Sequence, residues 1–334
     1  MPSGQRLKLG TRHPNVQPLR DRLIELGDLS PNVGSGQVFD TYVEAAVKRY
    51  QARHGLTPTG VVGAQTYAAL NTPANIRLKQ LEINLVRLRS YSANLGHRYV
   101  TTNIPAAYVE TVENGQVATR HVAGVGKIDR QSPIMMAKIL DVNFNPTWTV
   151  PQSIVVGEGL GARLIGNPAS AARQGYKATK NKDGTITVVQ QPGPNNSLGF
   201  LKLDMPNEHA IFIHDTPSRG LFSQPYRALS HGCVRTERAT ELGMTMAILG
   251  AGKSTDELVA IAGSGKYTLV PMTKTFPVYI MYFTMATDIN GKMGTFKDLY
   301  GRDAKVLASF AAPRKLWDGK RKSTEKVIKL DNPL

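Results

Sequence analysis

The chain has 334 residues, with 41 Lys and Arg against 25 Asp and Glu, a formal charge of +16, and a single Cys. That length suits two domains and a sizeable core. One Cys excludes an internal disulfide framework and a Cys-rich zinc module, and 41% hydrophobic with 20% charged residues excludes a mainly disordered chain. The excess positive charge leaves nucleic acid, an anionic membrane surface and an anionic polymer such as bacterial cell wall open as partners.

Residues 1–73 read as a small helical domain. Val16, Leu19, Leu23 and Leu26 recur at helical spacing, and Gly27 follows as a stop. Asp40 is placed to cap a second helix that carries Val43, Val47 and Tyr50 and ends near His54-Gly55. A turn-rich run from Leu56 to Gly63 leads to a third helix, from about Gln65 to Leu70. After the break at Thr72-Pro73, residues 74–97 form a linker helix that Gly96 ends. Its stripe of Leu78, Leu81, Leu85 and Leu88 is expected to pack against a neighbouring domain rather than to form a dimer seam.

From Arg98 the pattern turns to strands. Tyr99–Ile104, Ala107–Val112 and Ala118–Ala123 are β-rich, with Asn114-Gly115 as a hairpin turn, and Ile139–Phe144 and Ala210–His214 continue the pattern. Residues 152–200 are rich in Gly, Asn, Pro, Lys and Ala, hold a hairpin-like Asp183-Gly184 turn, and read as an insertion; loops that long are usually functional or disordered. A helix is expected from about Arg235 to about Leu249. The apolar stretch Phe276–Ala286 is far shorter than the roughly 20 residues a bilayer needs, and reads as a buried strand. The tail 313–334, with seven basic and three acidic residues, is expected to be extended or poorly ordered. Met1-Pro2-Ser3-Gly4 leads straight into a polar segment, so no secretory leader is read there; the chain is either cytosolic or starts at a domain edge.

The one Cys sits in Ser230-His231-Gly232-Cys233-Val234-Arg235. A thiol attacks as thiolate, so a catalytic Cys needs a base, a cation or a helix N-terminus beside it. The helix expected downstream and the Arg235 charge supply positive potential near the sulfur. Gly232 permits a sharp turn, so that its amide and that of Cys233 can face a substrate carbonyl as an oxyanion hole. The commoner fate of a lone Cys is inert burial, against which the polar flanks argue. His214 ends a strand and begins the turn Asp215-Thr216-Pro217-Ser218, where a catalytic side chain is both fixed and exposed. The fifteen residues between His214 and Ser230 leave room for a loop that returns Cys233 to its side.

Two patterns mislead. Gly250-Ala251-Gly252-Lys253-Ser254-Thr255 looks like the end of a phosphate loop, but Ala247 stands where that pattern needs Gly and a helix precedes it. Ser254 with Glu257 reads better as a capping box for a helix ending at Gly263. His209 and His214 lack the companions of a zinc site. No aromatic-interleaved basic motif supports nucleic-acid binding.

The Val16-Leu19-Leu23 helix with Gly55-Leu56, Gly60, Gly63, Thr66 and Leu70 resembles the peptidoglycan-binding three-helix module, although Thr59 stands where that family usually has Asp. His214, its spacer and Ser230-His231-Gly232-Cys233 resemble the signature of the L,D-transpeptidase catalytic domain. The resemblance spans 98–312 through Arg130-Gln131-Ser132-Pro133, Asn145-Pro146-Thr147-Trp148-Thr149-Val150-Pro151, Pro192-Gly193-Pro194-Asn195-Asn196, His214-Asp215-Thr216-Pro217 and Leu299-Tyr300-Gly301-Arg302-Asp303. It points to the long Gram-negative subgroup, with 152–200 as a capping insertion.

The resemblance implies an α+β chain: a three-helix domain, a linker helix and a mainly β catalytic domain of the L,D-transpeptidase β-sandwich type. It implies that Cys233 is the nucleophile and His214 the base, the second ring nitrogen being held by a backbone carbonyl such as that of Asp215. Gly232, His231 and Ser230 would shape the loop, and Arg235, Trp148, Asp215 and Thr216 would contact substrate, with no cofactor or metal. The implied partners are peptidoglycan stem peptides as donor and acceptor, with carbapenems as covalent inhibitors, in the periplasm or cell envelope. An L,D-carboxypeptidase, an enzyme attaching protein to peptidoglycan, and a non-catalytic wall-binding protein remain as alternatives.

Overall fold

The computed structural model describes residues 1–2, 4–91, 95–288 and 290–312; the tail 313–334 lies outside the described residues. Packing divides the chain into two units. Of the described residues, the first holds those up to 91, with 223–225 and 282–312; the second holds 95–222 and 226–281.

The first unit is helical for the reason its sequence suggests. Helices α1 (Val16–Glu25), α2 (Thr41–Arg53) and α3 (Ala64–Leu70) turn Val16, Leu19, Leu23, Val43, Val47, Tyr50 and Leu70 into one core. The Asp40 carboxylate accepts from the Val43 amide at 3.0 Å and caps α2, while pairing with the buried Arg20. Helix α4 (Ala74–Tyr91) reverses the expectation for its leucines. Leu78, Leu85 and Leu88 are exposed, at 56%, 42% and 54%. The buried face runs through Gln80, Ile83, Asn84 and Arg87, at helical spacing.

Polar partners explain the choice. The carboxamide of Asn84 donates to Thr284 Oγ1 at 2.9 Å and accepts from the Thr284 amide at 2.9 Å; Gln80 donates to the Thr284 carbonyl at 2.7 Å; Arg87 pairs with Asp303 at 2.6 Å. These partners belong to the C-terminal segment, a two-stranded ribbon (Met285–Thr287 with Met293–Thr295) followed by the helix Asp303–Ser309. That segment folds onto the helical unit, although the sequence pattern runs it on with the strands before it. His54 Nδ1 lies 2.7 Å from Thr295 Oγ1, and Gly55 takes a positive φ of +66° where a Cβ would stand 2.9 Å from the Phe296 ring.

The second unit is mainly β. Strands β1 (Arg98–Asn103), β2 (Tyr108–Glu113), β3 (Gln116–Gly126) and β4 (Met135–Phe144) open it. After the cap come β8 (Leu201–Asp204), β9 (Ile213–His214), β10 (Ala228–Ser230), β11 (Val234–Thr236) and β12 (Thr268–Met281). The β2–β3 turn is Asn114-Gly115 with φ of +51° and +78°, the left-handed pair a two-residue hairpin demands. The strand order is β10-β3-β11-β9-β8-β4-β12-β1-β2, and β2 also pairs with β3, so the sheet closes on itself. Val100, Val109, Val125, Ile139, Val142, Leu203, Ile213, Val234, Val278 and Ile280 are buried in it.

Helix α8 (Ala239–Ala251) packs on β8 and β12, with Gly243 leaving room for Leu201. It starts at Ala239, later than expected, because residues 234–236 pair as β11. Ser254 and Glu257 form the capping box of α9 (Thr255–Gly263), which removes the phosphate-loop reading.

The insertion is ordered. Strand β5 (Trp148–Thr149), helices α5 (Gln152–Gly157), α6 (Leu160–Gly166) and α7 (Pro168–Arg173), and strands β6 (Tyr176–Lys180) and β7 (Ile186–Gln190) build a separate three-stranded sheet, ordered β5-β7-β6. Val150, Val155, Leu160, Leu164, Ala171 and Val188 give this cap its own core. No helix among the described residues is long and apolar enough to cross a membrane.

Candidate active site

Strands β9 and β11 run parallel, with Ile213 beside Val234 and His214 beside Arg235. Cys233 therefore stands next to Phe212, and the Val234 amide donates to the Phe212 carbonyl at 3.0 Å. Because strand side chains alternate, Phe212, His214, Cys233 and Arg235 share one face of the paired strands.

His214 is 4% exposed. Its Nδ1 lies 2.5 Å from the carbonyl oxygen of Asp215. A carbonyl only accepts, so Nδ1 carries the proton and Nε2 is the free base. Burial, then the Arg235 charge, push the imidazole down to about 3, so it is neutral at physiological pH. The Asp215 side chain is fully buried, accepts from the Phe200 amide at 2.9 Å, and pairs with Arg219 at 2.7 Å. Gly199 has φ +62°, and a Cβ there would lie 2.3 Å from this carboxylate. Thr216 is 2% exposed and accepts from the Ser218 amide at 3.2 Å. Asp215 and Thr216, expected to contact substrate, are buried and make hydrogen bonds within the turn that holds His214.

Cys233 is half-buried. Burial pushes its thiol up to about 11, against smaller lowering by a Phe212 amide hydrogen bond and by the Lys202 and Arg235 charges. The sequence expectation of a helix opening straight after the Cys is corrected here: strand β11 (Val234–Thr236) comes between Cys233 and the start of α8 at Ala239. The thiol is neutral at rest. Arg235 is half-buried, its Nε has no hydrogen-bond partner, and among the described residues it has no acidic partner. Lys202, across from His214 on β8, pairs with Asp204 at 2.6 Å and sits 4.7 Å from the Phe212 ring centre. It charges the site, and its sequence context gave no signal of that.

The loop between β10 and β11 is held by hydroxyls. Ser230 Oγ donates to the Cys233 carbonyl at 2.6 Å and accepts the Gly232 amide at 3.1 Å. The Gly232 amide is thus engaged, and the expected two-amide oxyanion hole loses that donor. The Cys233 amide has no protein partner among the described residues and remains the open donor. Gly232 adopts φ +121°, a region that favours glycine. His231 Nε2 approaches Glu158 Oε1 of the cap to 3.7 Å, and burial with the nearby Arg130 and Lys127 lowers the His231 pKa. Trp148 belongs to the cap sheet opposite Gln190 and packs against the cap core.

A neutral thiol, a neutral imidazole with its proton on the far nitrogen, an open amide and an unpaired guanidinium are together suited to acyl transfer from a substrate that carries an anionic group.

Residues 97–245 match the family model for the L,D-transpeptidase catalytic domain, YkuD. Residues 12–70 match the model described as "Putative peptidoglycan binding domain". These two matches, the first over somewhat less than half of the chain, show a stretch similar to the L,D-transpeptidase catalytic domain preceded by one similar to a peptidoglycan-binding domain. The chain is 28% identical over 243 residues to a Haemophilus influenzae protein named "Putative L,D-transpeptidase", covering 68% of the chain and 49% of the relative. It thus spans about half the length of the curated relative it matches. Among solved structures, it is similar to an L,D-transpeptidase fragment from Xylanimonas cellulosilytica, at 17% identity, 84% and 99% coverage and a TM-score of 0.30. One from Stackebrandtia nassauensis has 12% identity, 84% and 97% coverage and a TM-score of 0.36. The likeness rests on the domain matches; superpositions this loose add nothing to it.

Proposed function

We propose that this chain is a peptidoglycan L,D-transpeptidase that works through a Cys233 thioester. The observation that carries this reading is the parallel pairing of β9 with β11, which sets His214 beside Arg235, whose Nε is unpaired, with Cys233 directly preceding β11 on the same face. The substrate is a stem peptide, whose carboxylates suit Arg235. Cys233 Sγ attacks the carbonyl carbon on the L,D bond after a diamino acid as His214 Nε2 takes the thiol proton. Proton transfer accompanies attack, since neither charged form is stable alone in this buried pair. The carbonyl electron pair moves onto oxygen, where the Cys233 amide donates to it. The oxyanion then collapses, the C–N bond breaks, and His214 returns the proton to the departing D-amino acid. An amine of a second stem attacks the thioester, gives its proton to His214, and releases the thiol with a new amide cross-link.

The ordered cap, which reaches the catalytic loop through Glu158, supports a role in excluding water as competing acceptor. The helical module supports docking on the wall, and with it a cell-envelope location. Carbapenems, as strained acyl donors, acylate the same sulfur. Purified muropeptides test the reading: Cys233→Ala abolishes cross-linking, and cross-linking that survives the substitution refutes it.

A further inference from the structure

Ser132 lies outside the catalytic loop, a hundred residues before it, yet the two are joined. It is fully buried. Its hydroxyl accepts the Gly126 amide at 2.9 Å and donates to the Gly232 carbonyl at 2.7 Å. The loop that brings it there crosses tightly over the end of β3: a Cβ on Gly126 would stand 2.2 Å from the Arg130 carbonyl oxygen and 2.5 Å from the Ser132 nitrogen. Glycine at 126 is therefore what lets this serine reach the loop.

The Gly232 carbonyl and the Cys233 amide are two ends of one planar peptide group. Fixing the carbonyl fixes the direction of the N–H. Gly232, at φ +121°, supplies no side chain to resist rotation of that plane. Ser230 anchors the far side by holding the Cys233 carbonyl and the Gly232 amide. Among the described residues, Ser132 is the one that holds the oxygen opposite the open donor.

We infer that Ser132 is a positioning residue for the acyl-transfer step: by holding the Gly232 carbonyl it aims the Cys233 amide at the oxyanion. The inference rests on the proposed Cys233 acyl-enzyme and adds to it a residue that touches neither substrate nor sulfur. It separates two reactions of one thiol. Attack on an acyl donor develops an oxyanion and needs the aimed amide; alkylation by iodoacetamide develops none and does not.

The test measures both rates on the full chain, by intact-protein mass after a carbapenem and after iodoacetamide, together with turnover on muropeptides. Ser132→Ala is expected to slow carbapenem acylation and kcat by about 10–100-fold, with KM and the alkylation rate within about twofold of wild type. Ser132→Thr, which keeps the hydroxyl, restores acylation, whereas Ser132→Val, of the same shape without it, does not; this pair decides the matter if the Ala variant fails to fold. Acylation and alkylation falling together, or Val matching Thr, overturns the inference. A wild-type protein that takes no carbapenem on Cys233 overturns the underlying reading, and the inference with it.

Discussion

The resting thiol offers a sharp test of the electrostatics. An ordinary cysteine with pKa of about 8.5 is ionised in about one molecule in thirty at pH 7. Cys233, pushed up to about 11, is ionised in about one in 10⁴. The thiolate population falls by about 2.5 decades, and the higher basicity of the thiolate returns about one decade of nucleophilicity, so alkylation should be about 30-fold slower than for a free cysteine. The assay is the iodoacetamide rate by intact mass between pH 5 and 10. The expected profile rises about tenfold per pH unit above neutrality with no plateau below pH 10. His214→Ala should leave it nearly unchanged, because a neutral imidazole does not ionise the thiol at rest. A plateau between pH 5 and 8 that His214→Ala abolishes would show a preformed thiolate–imidazolium pair and refute the reasoning.

Further outcomes follow from particular contacts. Arg235→Ala should cost about 10–100-fold in kcat/KM toward carboxylate-bearing donors, the worth of one charge-assisted hydrogen bond, with less loss toward donors lacking the carboxylate; steady-state kinetics on paired substrates check it. His54, pushed down to about 3 by burial and by the Arg53 and Arg77 charges, stays neutral in the fold while the unfolded chain protonates near its ordinary 6.5. Stability is therefore full above about pH 6.5 and falls as pH drops toward 3, by about 2 kcal/mol from this group at pH 5; denaturant melts of wild type and His54→Gln at pH 7 and 5 should differ by that amount. In α4, Asn84→Ala should destabilise the protein by about 2–3 kcal/mol, because the buried Thr284 amide loses its acceptor. Leu85→Lys on the exposed stripe should shift stability by no more than about 0.5 kcal/mol, read from the same melts.

The sequence was most legible where local chemistry decides structure. Asn114-Gly115, the Asp40 cap and the Ser254–Glu257 box each work within a few residues, and each formed as its spacing dictates. His214 and Ser230-His231-Gly232-Cys233 stood out in the sequence through their resemblance to a known signature, and the parallel pairing of β9 with β11 sets His214 beside Arg235; their catalytic roles are the proposal made above. What was hidden depends on distant partners. The leucine stripe of α4 has the right period to pack, yet the opposite face carries Asn84, Gln80 and Arg87, whose partners lie some two hundred residues away. Within 152–200, read as an insertion with one hairpin-like turn, the helices went unread because they have only six or seven residues, too short for periodicity to show. Positive potential near the sulfur was read from Arg235 and a nearby helix, but burial outweighs the charge, and burial is a property of the closed sheet. Ser132 stood within a motif, but its bond to Gly232 needs the fold.

The most direct measurement is the mass of the intact protein after exposure to a tetrapeptide donor or a carbapenem, with the adduct mapped by peptide sequencing and Cys233→Ser run beside it. The account predicts a single acyl adduct on Cys233, absent from the Ser variant and discharged by an added amine into a cross-linked product. An adduct on another residue, or cross-linked product formed by the Ser variant at the wild-type rate, would contradict it.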